Sequence, residues 1–353
     1  MYNQEFMNLP RLEGLATATP PHRIGQDVVR DSADRLFNAR QADLTRLMPI
    51  YDNAGIAFRH SCVPLEWYME PHSWVERSRL FVENGVALLC EAARKCLAEA
   101  GLEAADVDAV VAVSTTGIAT PSLDALVIEK LGLRRDVRRL PIFGLGCAGG
   151  VIGLARAVDL ARVMPGARVL YLVVELCALT FRYGDNRRSN VVASALFGDG
   201  AAAALISTKA EGAAFGAAAE HTWANSLDIM GWEVQEDGLG VLFSRDIPSL
   251  VRGQLRPVLE RFLESQGMEP GDLAGSICHP GGAKVIDALE EAFGLAPGAM
   301  TAARGVLRDY GNMSAATVLF VLERTLHEGA KGHYLMSALG PGFTAGFQLL
   351  EVA

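Results

Sequence analysis

Three short runs set a reactive side chain among glycines. Cys147 stands in GLGCAGG, His279 in SICHPGG and Asn312 in DYGNMSAATV. The cysteine falls where a short apolar strand, LPIFGLG, turns into a long apolar helix, so its side chain is held at a helix N-terminus. Unpaired N–H groups and the positive end of the helix dipole favour an anion there. A thiol so placed has a depressed pKa and is a nucleophile near neutral pH, and the flanking glycines allow the tight turn. Taken singly, each residue has a plainer reading: a buried inert cysteine, a satisfied histidine at a strand end, an asparagine capping a helix. Taken together they are a nucleophile, a proton partner and an oxyanion donor, and the joint reading outweighs the three separate ones.

The elements that must position these residues alternate. Residues 11–24 read as a strand ending in a proline turn, and Gln26–Asn38 has helical spacing. The segment from Arg46 to Tyr68 reads as surface loop. Ser73 caps a helix over Trp74–Ala100 whose apolar face is Val82, Val86, Leu89, Ala93 and Leu97, with Gly101 ending it. Then come VDAVVAVST, PSLDALVIEKLGL, LPIFGLG, the helix after Cys147, and ARVLYLVVEL: valine-rich continuous strands separated by helices, hence a sheet covered on both faces. A polar loop, FRYGDNRRSN, precedes ALFGDGAAAALIS. The second half repeats the grammar with helices in SLVRGQLRPVLERFLESQG, AKVIDALEEAFGL and NMSAATVLFVLERTLHEG, the strand SIC, and the closing strands of YLMSALGPGFTAGFQLLEV. Each half closes with a glycine turn into an apolar strand, which predicts a duplication divided into 1–208 and 209–353.

With 353 residues, half of them hydrophobic and 21% charged, the chain can bury a large core. Its N-terminus lacks the form of a secretory signal, and Arg156, Asp159 and Arg162 interrupt its most apolar helix, so a cytoplasmic protein is expected. The six cysteines form no CxxC pair, which argues against a zinc site and a disulfide framework. A net charge of −9 disfavours nucleic acid as a partner. RRDVRR at 134–139 reads as a solvated face, and no glycine turn carries a dinucleotide or Walker fingerprint.

GLGCAGG, FGDGAA, HPGG, YGNMSAATV and GPG, in this order, closely resemble the thiolase superfamily and within it the type III polyketide synthases, the chalcone-synthase-like enzymes. The likeness runs from about Leu15 to the C-terminus. PIFGLGCAGG, VVELCALTFR and the MGW at Met230 resemble most the bacterial alkylpyrone and alkylresorcinol synthases. The resemblance implies an α/β fold, a duplicated five-layer αβαβα sandwich, that works as a homodimer. It implies that Cys147 accepts the acyl group, that His279 and Asn312 complete the triad, and that Phe197 is the gatekeeper. Val241 stands where plant members have a second phenylalanine and Cys177 where they have threonine, while Thr115, Thr180, Ser314 and Pro341 match the cavity. Of the basic residues that meet coenzyme A in plant members only Arg46 is kept, with Arg59 and Lys284 as compensating candidates.

The implied reaction loads an acyl-CoA starter, decarboxylates malonyl-CoA, joins the two and cyclises the product, with no metal or redox cofactor. A carrier-protein-bound starter is an alternative delivery, and Thr120 falls where related enzymes reach across a dimer axis. Val241, Cys177, Ala178, Ala193 and Ala195 together predict room for a medium or long acyl chain. The alternatives are a small-starter polyketide synthase or an initiating ketoacyl synthase. A non-catalytic partner subunit is disfavoured because all three catalytic side chains are present.

Overall fold

A computed structural model describes residues 9–38, 46–244 and 246–353. Its strands are β1 (Arg11–Ala18), β2 (His22–Gly25), β3 (Phe58–Ser61), β4 (Ala109–Ser114), β5 (Arg138–Phe143), β6 (Arg168–Leu176), β7 (Asp199–Ser207), β8 (Ala214–Thr222), β9 (Met230–Gln235), β10 (Gly238–Phe243), β11 (Gly275–Cys278), β12 (Gly332–Gly340) and β13 (Thr344–Val352). Nine of them follow one another in the order β11-β12-β13-β8-β1-β7-β6-β4-β5, and β1 meets β8 through the single pair Arg11 and Ala214. Read outward from that junction, β1-β7-β6-β4-β5 and β8-β13-β12-β11 repeat one arrangement: the first strand of a half, its last two, then its second.

Three strands of the first half are buried almost end to end. β4 and β7 have every residue buried and β6 all but its first, which is why they read as unbroken apolar runs rather than as alternating ones. The helix Trp74–Glu99 covers the outer face of the first half with Leu123–Leu131 beside it, while Arg256–Ser265, Ala283–Phe293 and Thr301–Tyr310 cover the second. Ser73 caps the first of these as expected, its hydroxyl accepting the Glu76 N–H at 3.2 Å. Between the halves lie Gly149–Val163 and Thr317–His327, each touching strands of both. The molecule thus has the duplicated thiolase-like layering of helices, sheet, central helices, sheet and helices.

The two central helices start alike. Each begins with a short 3-10 turn, Gly146–Ala148 in one and Ser314–Ala316 in the other. The two starts are packed together: a Cβ on Gly150 would lie 2.2 Å from the Ala315 carbonyl oxygen and 2.5 Å from a Val318 methyl. Only glycine allows that approach. The contact sets Cys147, in the first turn, against Ser314 in the second.

The polar segment after Phe181 ends in a helix, Arg188–Leu196, and the region after Thr208 contains a β9–β10 hairpin and the helix Thr301–Tyr310, none of which the sequence reading had resolved. The predicted strand over 11–24 is broken at its prolines into β1 and β2. RRDVRR is a solvated ion-pair face: Arg134 meets Asp108 and Asp136, Arg135 meets Glu129, and Arg139 meets the buried Asp124. Among the described residues no helix is long and apolar enough to cross a membrane, and all six cysteines are free and buried.

Candidate active site

Cys147 is buried in its turn, and its thiol donates to the Ser314 hydroxyl at 3.5 Å. Ser314 is in turn held by Asn312, whose carboxamide oxygen accepts the Ser314 N–H at 2.8 Å. The Asn312 amide donates one hydrogen to the carbonyl of Gly281 at 3.0 Å, which leaves its second for another acceptor. Gly281 lies two residues past His279, at the end of β11, where the His279 N–H is fixed to the Ser337 carbonyl of β12 at 2.8 Å. The far end of β12 returns to the cysteine: a Cβ on Gly146 would sit 2.5 Å from Pro341 Cδ. Strand ends from one half and helix starts from both therefore converge.

His279 is 5% exposed, and neither ring nitrogen has a hydrogen-bond partner among the described residues. A structural histidine at that depth would be satisfied, since leaving a buried polar atom bare costs about 1–3 kcal/mol. A bare imidazole is instead free to meet a group on a bound substrate.

Burial sets the charge state. It pushes the Cys147 thiol up to about 12, against a lowering by the Ser314 bond and a further rise from Glu175. It holds the His279 imidazole down at about 3. Burial therefore opposes the lowering that a helix N-terminus would give the thiol, and it favours the uncharged form of both groups.

Phe197 packs its backbone against Asn312, with Gly198 N–H donating to the Asn312 carbonyl at 3.0 Å and Asn312 N–H to the Leu196 carbonyl at 2.8 Å. Its side chain gathers with Cys177, Ala193 and Val241 in one buried cluster. Thr180 is buried and gives its hydroxyl to the Cys177 carbonyl at 2.6 Å, while the Thr115 hydroxyl accepts the Gly146 N–H at 3.0 Å. The space a valine at 241 was expected to open is reoccupied. Trp232, paired with Val241 across the hairpin, and Phe243 stand with ring centroids 6.0 and 5.7 Å from that of Phe197. Room lies elsewhere, in an apolar cavity bordered by Cys177, Ala193, Phe181, Val29, Ala33 and Phe37.

The coenzyme A candidates separate. Lys284, in the first turn of Ala283–Phe293, is exposed, as is Arg46, whose preceding residues 39–45 lie outside the described residues. Arg59 is a correction: it is 4% exposed, and its guanidinium is spent on Ser194, Ala195, Phe197 and Gln26, so it cannot meet a nucleotide phosphate in solvent.

The sequence reading passed over Glu175. One carboxylate oxygen accepts from the N–H groups of Thr115 and Thr116, each at 3.0 Å, and from the hydroxyls of Thr116 at 2.7 Å and Ser114 at 3.3 Å, while the other has no partner among the described residues. It gave no signal because it sits in an apolar strand, VVELC.

A cysteine on one central helix and an asparagine on its counterpart, in a duplicated sandwich, are the marks of a thiolase-like protein. Residues 60–210 match the family model described as chalcone and stilbene synthases, N-terminal domain, and 216–350 match the C-terminal domain of that family. The chain is 38% identical over 346 residues to 1,3,6,8-tetrahydroxynaphthalene synthase of Streptomyces peucetius subsp. caesius, covering 95% of this chain and 91% of that one. It is 27% identical over 358 residues to the alpha-pyrone synthesis polyketide synthase-like Pks18 of Mycobacterium tuberculosis, covering 97% and 91%. The crystal structure of 1,3,6,8-tetrahydroxynaphthalene synthase from Streptomyces coelicolor A3(2) superposes with a TM-score of 0.91 at 28% identity, over 97% of this chain and 99% of that one. The chain belongs to the chalcone and stilbene synthase family and is a type III polyketide synthase, a condensing acyltransferase.

Burial raises Glu175 from 4.5 to about 7, and in the unfolded chain it returns to its ordinary value. The folded state then binds the proton more tightly, so the stability Glu175 lends is complete below pH 4.5 and is lost as pH rises through about 7. Glu175→Gln keeps an acceptor oxygen without the charge. Between about pH 5 and about pH 8 its thermal midpoint should rise relative to wild type, by the equivalent of up to about 3 kcal/mol. Midpoints that run parallel across that range would show that Glu175 does not titrate there.

Proposed function

We propose that this polyketide synthase loads a medium or long fatty acyl group from coenzyme A onto Cys147. It then extends the chain by decarboxylative condensation with malonyl-CoA and closes it as an alkylpyrone or alkylresorcinol. In this reading 1–208 supplies the nucleophile and 209–353 the histidine and asparagine. When the acyl thioester arrives, the Cys147 proton passes to His279, the thiolate attacks the carbonyl, and the coenzyme A thiolate leaves with the proton from the imidazolium. His279, neutral again, and the second amide hydrogen of Asn312 then meet the thioester oxygen of malonyl-CoA. Loss of CO2 leaves an enolate there, and two such donors lower the barrier by roughly 3 kcal/mol each. The enolate carbon attacks the acyl-Cys147 carbonyl, the new C–C bond forms, and the cysteine is released for the next round.

Phe197 gives the malonyl carboxylate an apolar wall, which favours neutral CO2 over the charged group. Lys284 and Arg46 are the cations left to meet the nucleotide end, a sparse pair that leaves a carrier-protein thioester as a second means of delivery. The chemistry requires no metal or redox cofactor, and its thioester substrates suit a cytoplasmic setting. We further read the enzyme as a homodimer joined along β5, the outer strand of the sheet, where Phe143 is 59% exposed. A sedimenting, active 37.7-kDa monomer would remove that assignment.

The observation that carries the starter is the apolar cavity behind Cys177 and Phe197. Each buried CH2 contributes about 0.8 kcal/mol, so eight added carbons outweigh the ordering of the chain. A second reading, a small starter with the product built from malonyl units, is favoured by the 38% identical relative named for tetrahydroxynaphthalene and by Trp232 and Phe243 filling the hairpin side.

Mass spectrometry of products from malonyl-CoA alone and with a ladder of acyl-CoA starters separates the two. We expect decanoyl-CoA to exceed acetyl-CoA in kcat/KM by roughly tenfold or more, and Cys177→Trp to shorten the longest starter accepted while hexanoyl loading survives. A main product made from malonyl-CoA alone, with decanoyl-CoA ignored, would establish the second reading.

A further inference from the structure

One side chain outside the reacting set lies under both turns that the proposed chemistry uses. Arg59, on β3, is buried, and its guanidinium makes four bonds: to the carbonyls of Ser194 at 2.6 Å, Phe197 at 2.9 Å and Ala195 at 2.7 Å, and to the side-chain oxygen of Gln26. Ser194 and Ala195 end the helix Arg188–Leu196, so two of those acceptors are carbonyls that no further helical turn could satisfy. Phe197 is the residue beyond them. The stem of the arginine serves as well: a Cβ on Gly198 would lie 3.4 Å from Arg59 Cβ, and one on Gly311, next to Asn312, 3.6 Å from it.

A buried cation is costly to desolvate, and a well-packed apolar residue would usually be as stable. What an apolar residue cannot do is hold the carbonyls of Ser194, Ala195 and Phe197 in a planar fork. Burial lowers the guanidinium only to about 10, so it remains charged at neutral pH. On the other side of Gly198, the buried carboxyl of Asp199 accepts the N–H groups of Cys62 at 2.9 Å and Ala178 at 2.8 Å. The Phe197–Gly198 turn is therefore gripped before and after, and it passes that grip to Asn312 through its two backbone bonds.

We propose that Arg59 is a positioning residue for decarboxylation: it fixes the Phe197 wall and, through it, the Asn312 amide that meets the malonyl enolate. Cys147 sits on the other central helix, and among the described residues its only hydrogen-bonded link to Asn312 runs through Ser314, so it depends on the fork less directly. This rests on the roles given above to Cys147 and Asn312. Loss of the fork thus separates the two half-reactions, whereas a merely structural arginine would weaken both alike.

The test measures both in Arg59→Lys, which keeps the charge but cannot span three carbonyls, and in Gln26→Leu, which leaves the arginine with one anchor fewer. In Arg59→Lys we expect kcat for malonyl-CoA decarboxylation to fall roughly 10-fold or more with KM within about 3-fold, since small misplacements of a catalytic group are costly. Single-turnover acylation of Cys147, followed by intact mass with whichever of decanoyl-CoA or acetyl-CoA the wild type loads, should stay within about 3-fold. Gln26→Leu should move the same way by a smaller factor, and it carries the test if Arg59→Lys does not fold. Equal losses in both half-reactions, or no loss in either, would overturn the proposal. A wild type that neither acylates Cys147 nor decarboxylates malonyl-CoA would instead overturn the reading on which it rests.

Discussion

The contact on which the arrangement depends is the one between Gly150 and the backbone of Ala315. Two buried helices, one from each half, start within van der Waals reach of each other because the first has no side chain there. That places two helix N-termini, with their unpaired N–H groups, on one small volume. It also makes the first residues of each helix neighbours across the duplication, which is how a thiol at 147 comes to donate to a hydroxyl at 314. A Cβ at Gly150 would have to displace main chain or a packed methyl, and an interior packed at crystal-like density has little room to give.

The same close packing that assembles the site removes its charge. Burial favours the neutral forms of Cys147 and His279, and it raises two further buried acids, Glu175 and Asp199, to about 7. Since each pKa unit is worth about 1.4 kcal/mol, these are large penalties, and the structure offsets them only where it gathers donors, as at Glu175. A site that disfavours standing charge suits a reaction whose charged species are transient. The thiolate, the imidazolium and the enolate appear one after another, and water that would hydrolyse the acyl enzyme has little access.

Much of this was legible in the sequence because it is local. Unbroken valine-rich runs gave β4 and β6, the 3.6-residue spacing and Ser73 gave Trp74–Glu99, and the glycine-flanked Cys147, His279 and Asn312 stood out at element ends. What was missed depends on partners distant in the chain. Arg59 looks like an exposed base until Phe197, 138 residues on, covers it. Trp232 and Phe243 lie on a hairpin whose first strand is largely half-buried and whose second opens with four buried residues, so neither strand alternates cleanly. The helix Arg188–Leu196 begins inside a polar run whose arginines and asparagine suggested a loop. A helix terminus beside the thiol can be read from sequence, whereas the depth to which the thiol is buried cannot.

The central claim is that the two half-reactions use different residues at one site: Cys147 carries the acyl chain, and His279 with Asn312 carries the enolate. The most direct measurement is malonyl-CoA decarboxylation by Cys147→Ala, followed as acetyl-CoA formed, beside polyketide formation by the same protein. The account predicts that decarboxylation persists while polyketide is abolished, and that Asn312→Ala shows the reverse defect, losing decarboxylation while Cys147 still takes an acyl group. Polyketide formed without Cys147, or decarboxylation undiminished without Asn312, would contradict it.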